Sequence, residues 1–270
     1  MTTLTNPYKR EQRLFSVDSP KAIKAGDYGW LNGIHYMAPH TLAGVGNLCS
    51  HSTAPCRALC LGEHSGQAGM AKGRKLNSVR LSRRVKARRF MRERIAYMRE
   101  FVKQIEQLER KAKRKSLKLA IRPNGSTDIG FEGVACERMI QAATDSTGAI
   151  VMQAIRYRNV MEAFPDLQFV DYTKNPRRFD RPLPANYSLT FSRSESNEAD
   201  CIRLLRRGFN VAVVFGVAKD APLPATWQGF PVIDGDQHDL RHLDPKGVVV
   251  GLRPKGSKAK KDKSGFVVRI

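Results

Sequence analysis

With 270 residues, 41% hydrophobic content and no apolar run near the roughly 18 to 20 residues that a helical bilayer span needs, the chain excludes a membrane-spanning helix and predicts one large soluble domain or two small ones. Its N-terminus, Met1-Thr-Thr-Leu-Thr-Asn-Pro7, lacks the basic-then-apolar order of a secretory signal; this predicts a reducing cytoplasm, where five cysteines do not read as a disulfide framework. The formal charge of +22 is concentrated, with 18 Lys or Arg against four Glu in residues 72–115 and six against one Asp in residues 253–263, and such stripes predict contact with nucleic acid, DNA or RNA, through counterion release.

The first 46 residues read as loop-rich, with Gly26, Gly29, Gly33, Gly44 and Gly46 spaced around Trp30, Tyr36 and Met37, and residues 30–37 predict a short strand. Three cysteines follow within one stretch, Cys49-Ser-His-Ser-Thr-Ala-Pro-Cys56-Arg-Ala-Leu-Cys60. Residues 77–115 turn helical, because Phe90, Tyr97, Phe101, Ile105 and Leu108 recur mostly at three- and four-residue steps. One long helix, or two in line, would then carry the positive stripe outward. Arg83, Arg84, Lys86, Arg88, Arg89 and Arg92 are its candidate nucleic-acid contacts. A solvated helix face is the plain alternative.

Beyond the helix, short β-branched or apolar runs each end in a polar group. Residues 117–121 lead into Arg122-Pro-Asn-Gly-Ser-Thr-Asp128, 167–170 into Asp171-Tyr-Thr-Lys174, and 187–191 into Ser192-Arg-Ser-Glu-Ser-Asn197. Residues 210–215 end at Gly216, and 248–250 lead into Gly251-Leu-Arg-Pro-Lys255. Residues 133–143, 149–164 and 198–207 read as helices between them. Alternating strands and helices predict an α/β fold, a partial (βα) barrel or open parallel sheet with a long basic helix and a loop-rich N-terminal segment. The polar strand ends would gather on the carboxyl edge, where such sheets bind ligands. The expected layout is a loop-rich segment 1–46, a single α/β domain 47–255 and a lysine-rich tail 256–270, mobile over 256–264, whose last residues, 266–270, are able to return as a strand.

Clustered thiolates of a cytosolic chain suit a soft metal better than chance burial. Zinc would want a fourth ligand, His51 or His64, whereas a [4Fe-4S] cluster needs only Cys49, Cys56 and Cys60 if an exogenous group takes the fourth iron. The residues alone leave both open. The polar strand ends have turn formation and helix capping as their plain role. Asp234, Asp236 and Asp239, in a segment with His238, Arg241, His242 and Asp244, fit no EF-hand spacing but suggest a Mg²⁺-dependent nuclease, against a turn-rich connector. Cys136 and Cys201 read as small buried hydrophobes.

The order of these segments resembles the phage and prophage proteins grouped as gene-product-88-like. The resemblance rests on the cysteine loop, the Arg-rich helix, Arg-Pro-Asn-Gly-Ser-Thr-Asp, Asp-Tyr-Thr-Lys, Tyr-Ser-Leu-Thr-Phe-Ser-Arg-Ser-Glu, Asn-Val-Ala-Val-Val-Phe, Val-Ile-Asp-Gly-Asp and Gly-Val-Val-Val-Gly-Leu, from about Asn47 onward. A more distant likeness is to phage proteins of the radical S-adenosylmethionine-like type, carried by Cys49, Cys56 and Cys60, by Ser126 to Asp128, by Thr173 to Pro176 and by Phe191 to Asn197. That likeness implies a [4Fe-4S] cluster on the three cysteines and contact of S-adenosylmethionine with Asn124, Ser126 and Asp128. It further implies that Asp171, Lys174, Ser192 and Glu195 orient substrate or move protons. The cysteine gaps of six and three residues depart from the gaps of three and two usual in that superfamily.

Overall fold

Parallel pairing of short apolar strands builds the scaffold; the structure is a computed structural model that describes residues 12–64, 66–70, 76–144 and 147–270. The strands are β1 Phe15–Ser16, β2 Trp30–His35, β3 Lys118–Arg122, β4 Cys136–Thr144, β5 Ile150–Tyr157, β6 Gln168–Thr173, β7 Tyr187–Ser192, β8 Val211–Val214, β9 Thr226–Trp227, β10 Phe230–Asp234 and β11 Val249–Leu252. Nine of them form one sheet in the order β1-β2-β3-β6-β7-β8-β11-β10-β9. Its inner strands are parallel, and β1 and β9 lie antiparallel at the two edges. From β2 to β8 each strand adds on the same side of the last, as in a barrel. β11 then enters between β8 and β10, and β9 ends the row, so the sheet stays open. Of the two architectures expected, the open parallel sheet is the one formed.

Strand register puts Gly33, Ile121, Phe169 and Tyr187 in one row across the sheet. The helix Arg94–Arg114 covers this face, and a Cβ added to Gly33 would stand 2.8 Å from Leu108 and 3.0 Å from Ile121, so glycine is what lets the helix approach. Phe90, Tyr97, Phe101 and Ile105 enter the core as their spacing predicts. The helical region is two helices, Ser78–Arg92 and Arg94–Arg114, broken at Glu93 with φ −126° and ψ 43°. Asn77 caps the first by accepting from the Arg80 amide at 2.9 Å. On the opposite face Leu240 packs with Ala25, Ala120 and Trp30.

Two expected helices are absent. Residues 133–143 and most of 149–164 form the antiparallel hairpin β4–β5, and the helical reading survives only at Val160–Ala163, capped by Asn159. Met139, Ile140, Ala143, Val151 and Met152 satisfy a helical spacing loosely, but strand pairing across residues 136–157 decides their conformation. Cys136 therefore lies on a strand, still buried, while Cys201 is buried in the expected helix, Glu198–Arg206.

The end of the C-terminal tail returns to the sheet, as expected for residues 266–270. Residues Ser257–Lys260 form a helical turn, and Val268 bridges Phe215 in parallel, its amide donating to Val214 O at 2.8 Å while its carbonyl accepts from Gly216 at 2.7 Å. The described part of residues 1–46 supplies β1 and β2 to the main sheet; residues 1–11 lie outside the described residues.

Candidate functional site at the carboxyl edge of the sheet

Because β2, β3, β6 and β7 run parallel, the segments that follow them leave at one edge. The chain after β3 crosses that edge tightly: the Gly125 amide donates to His35 O at 2.8 Å, and a Cβ there would lie 2.6 Å from the Tyr36 ring. Asn124 then organises the turn. Its Nδ2 donates to Ile129 O at 2.8 Å and to Asp171 Oδ2 at 2.6 Å, while its Oδ1 accepts from Thr127 Oγ1 at 2.7 Å and Ile129 N at 2.9 Å. Every donor and acceptor position of that amide is filled. Ser126 Oγ donates to Met37 O at 2.7 Å.

Asp128 ties this turn to the end of β6, since Oδ2 accepts from the Lys174 amide at 2.8 Å and Oδ1 from Arg178 at 3.2 Å. Arg178 also forks onto Glu132 with two 2.7 Å contacts and reaches the Tyr187 hydroxyl at 2.8 Å. The Lys174 ammonium donates to Ser192 Oγ at 2.8 Å, Ser192 O at 3.3 Å and Arg193 O at 3.0 Å, below the Phe266 ring of the tail at 5.1 Å. All three of its protons thus go to neutral oxygens.

The cysteine loop docks on these groups. Thr53 caps the short helix Ala54–Ala58 by accepting from the Cys56 amide at 3.2 Å and donates its own hydroxyl proton to Glu195 at 3.2 Å. Cys49 Sγ accepts from the His40 amide at 3.3 Å and lies 3.8 Å from Ser126 O. The Cys60 sulfur lies beside the backbone of Gly62 and Glu63, and the Glu63 amide donates to Cys60 O at 3.1 Å. A Cβ on Gly62 would stand 2.9 Å from Ser126 Cβ and 3.4 Å from Cys60 Sγ, so Cys49 and Cys60 both border Ser126. Cys56 faces Lys174, Glu195 and Asp128.

Burial governs the electrostatics of this site. Desolvation pushes the Cys49 thiol up to about 12 and Cys60 up to about 11, and mutual repulsion of the neighbouring thiolates adds to it. Cys56 is raised by burial as well, against the pull of Lys174. Free thiols with such values are protonated and poor nucleophiles at neutral pH. Asp171, fully buried on β6, is pushed up to about 7 by desolvation despite Arg122, Arg178 and Asn124. Burial also lowers Lys174.

Asn124, Ser126, Asp128, Lys174, Ser192 and Glu195 therefore gather with the three cysteines at one edge, and Asp171 lies beneath them as the buried acceptor of Asn124. Neither histidine weighed as a zinc ligand is directed to the sulfurs: His51 contacts Ser50 at 3.0 Å and His64 contacts Lys258 at 3.4 Å. Among the described residues, no set of three or more His, Cys, Asp or Glu side chains is arranged to hold a metal ion, so the thiols are neighbours without a closed coordination sphere.

Of the six candidate nucleic-acid contacts, three are engaged within the fold, while Arg94, Arg99, Lys103, Arg110, Lys113 and Arg114 of the following helix are exposed. Arg83 donates to Gly62 O and stacks on Tyr36, Lys86 is buried with its ammonium 3.4 Å from Leu14 O, and Arg89 pairs with Glu100 at 2.6 Å. Arg84 is half-buried; Arg88, held at 2.8 Å to Ala43 O, and Arg92 are exposed. The three candidate Mg²⁺ carboxylates are divided between different partners. Asp234 and Asp236 pair with Arg253 at 2.9 Å and 3.6 Å, whereas Asp239 is buried against Arg122 at 2.8 Å. Their geometry is that of a connector held by arginines.

Sequence reading missed Arg178, Glu132 and Tyr187, which join the strand ends, and Thr53, which fixes the cysteine helix. Thr53 did carry a signal, a cap residue followed by Pro55 in the first turn. The His40 amide had none.

Fold and site together define an open parallel α/β protein with a thiol-rich site at the carboxyl edge of its sheet. The chain belongs to the gene product 88 family, whose model matches residues 9–270. That match bears out the first resemblance and does not extend to the radical S-adenosylmethionine type. No curated protein and no solved structure matches the chain. Among the described residues no helix is long and apolar enough to cross a membrane.

Proposed function

We propose that this gene product 88 protein carries a metal–thiolate centre held by Cys49, Cys56 and Cys60, with a [4Fe-4S] cluster as the first candidate and zinc as the alternative. The observation that supports it is the convergence of three half-buried thiols on one sheet edge, with the backbone amide of His40 donating to the Cys49 sulfur. Amide donors stabilise sulfur that bears negative charge, and a metal displaces the protons that burial otherwise holds on these thiols. Closing the sphere requires the loop to tighten around the metal, as metal sites coupled to folding do.

A bound cluster would supply one-electron chemistry. Lys174 would hold positive charge beside Cys56, Asp128 and Arg178 would fix the neighbouring turn, and Thr53 with Glu195 would anchor the loop. S-adenosylmethionine contact by Asn124, Ser126 and Asp128, and a substrate role for Asp171, Lys174, Ser192 and Glu195, rest on the residue likeness alone. Nucleic acid as a partner draws support from the net charge and from exposed Arg88, Arg92, Lys103, Arg110 and Arg114 of the two helices, not from Arg83, Lys86 or Arg89.

The test is anaerobic purification with iron, sulfide and zinc quantified, beside a Cys56→Ser variant. About one metal centre per chain, lost in the variant, is expected. A metal-free protein, or metal retained when all three cysteines are serine, overturns the centre; colourless protein with stoichiometric zinc selects zinc over the cluster.

A further inference from the structure

The hairpin β4–β5 is a separate two-stranded sheet whose outer part meets little of the body. Residues 141–144 and 150–154 are all exposed, although successive strand residues point to opposite faces, so both faces of this part stand in solvent. Met139, Ile150, Val151 and Met152 are 52%, 62%, 43% and 49% exposed. Residues 139–144 and 150–155 contain no Asp, Glu, Lys or Arg, in a chain that is 27% charged with a net charge of +22. An isolated two-stranded hairpin is marginal in water, and an uncharged apolar edge is the surface that other proteins protect with charges.

The two edges differ. β4 shifts register between Gln141 and Ala143, an irregularity that disfavours further pairing, whereas β5 is regular from Ile150 to Tyr157. We infer that β5 pairs antiparallel with β5 of a second copy of this chain, around a two-fold axis at Gln153, making a four-stranded sheet from two hairpins. In that register Val151 of one copy stands beside Ile155 of the other, Met152 beside Ala154 and Ile150 beside Arg156, so no like charges oppose each other. The match of the strand to itself in this register, apolar beside apolar at residues 151/155 and 152/154, points to a second copy meeting through the arm. Two strongly cationic bodies repel, but five exposed residues of strand reach ~16 Å, beyond the Debye length of ~8 Å at physiological salt. An uncharged arm of that length joins the copies while holding their bodies apart.

Sedimentation equilibrium of the full chain tests this, after nuclease treatment and at about 100 μM, a concentration that populates complexes of micromolar Kd. A dimer is expected that persists or strengthens as salt is raised. Gln153→Lys, which places two lysines opposite each other on the axis, is expected to weaken it at least about tenfold with an unchanged melting temperature. Gln153→Cys is expected to give a disulfide-linked dimer on oxidation, and Thr144→Cys, on the β4 edge, is not. A monomer at every salt, a dimer indifferent to Gln153→Lys, or cross-linking from Thr144→Cys alone overturns the inference.

Discussion

Asp171 is a fully buried carboxyl group at the centre of a polar network, with Asn124 and the Tyr187 hydroxyl both on Oδ2. Desolvation raises its folded pKa to about 7 from an ordinary 3.8, so the folded protein binds a proton there that the unfolded chain has released. The stabilisation is complete below the unfolded value and is lost as pH rises through about 7. Asp171→Asn is expected to remove the fall in stability between about pH 4 and pH 7 that this group causes; melting temperatures of both proteins across that range check it. An identical fall in the variant would assign the pH dependence elsewhere. His35 works in the opposite sense. Burial lowers it to about 3, and the neutral ring donates from Nδ1 to Pro123 O at 2.8 Å while Nε2 accepts from Tyr97 at 2.7 Å. Its contribution is present above the ordinary value of 6.5 and lost as pH falls through about 3.

At the scale of elements, the short helix Ala54–Ala58 depends on one hydroxyl. Thr53 accepts the Cys56 amide and donates to Glu195, so it fixes the helix start and joins it to the end of β7 at once. Thr53→Ala is expected to cost about 1 kcal/mol of stability and to raise the alkylation rate of Cys56, with Thr53→Ser restoring both. Equal alkylation rates in all three proteins would show that the cap does not hold the loop. The strand ends around this helix were legible beforehand, because each apolar run of a parallel sheet stops where the chain meets solvent and turn residues begin. Residues 117–121 and 187–191 fall within a residue of β3 and β7 for that reason. The hairpin was not legible. Its residues are exposed on both faces, so no one-sided burial pattern marks a period of two, and only pairing between 136 and 157 selects the strand.

At the scale of the molecule, the C-terminal tail closes the site it follows. Arg193 donates to Gly265 O at 2.6 Å and Phe266 O at 3.0 Å, Phe266 covers Lys174, and Val268 extends the end of β8. Removing residues 257–270 is expected to expose the Lys174 ammonium and to speed amide exchange at Val268's partner, Gly216, while β2 and β3 keep their protection. Hydrogen exchange resolves the difference; unchanged exchange at Gly216 would mean that the tail contributes no closure. The open sheet makes this closure necessary, since no further strand seals the edge that a barrel would cover.

The sequence by itself determined the α/β class, the carboxyl-edge grouping of Asn124, Asp128, Lys174 and Ser192, and the amphipathic helical region, because these follow from local periodicity and from where apolar runs end. Tertiary structure alone decided which charges are free. Arg83, Lys86 and Arg89 look identical to solvent-facing cations in a linear pattern, and only the packing of their helix against residues 12–14, 36 and 62 turned them inward. It also decided the sharing of Arg178 between Asp128 and Glu132, the division of Asp234 from Asp239 and the strand state of residues 136–157. Each of these depends on partners far away in the chain, which no local spacing encodes.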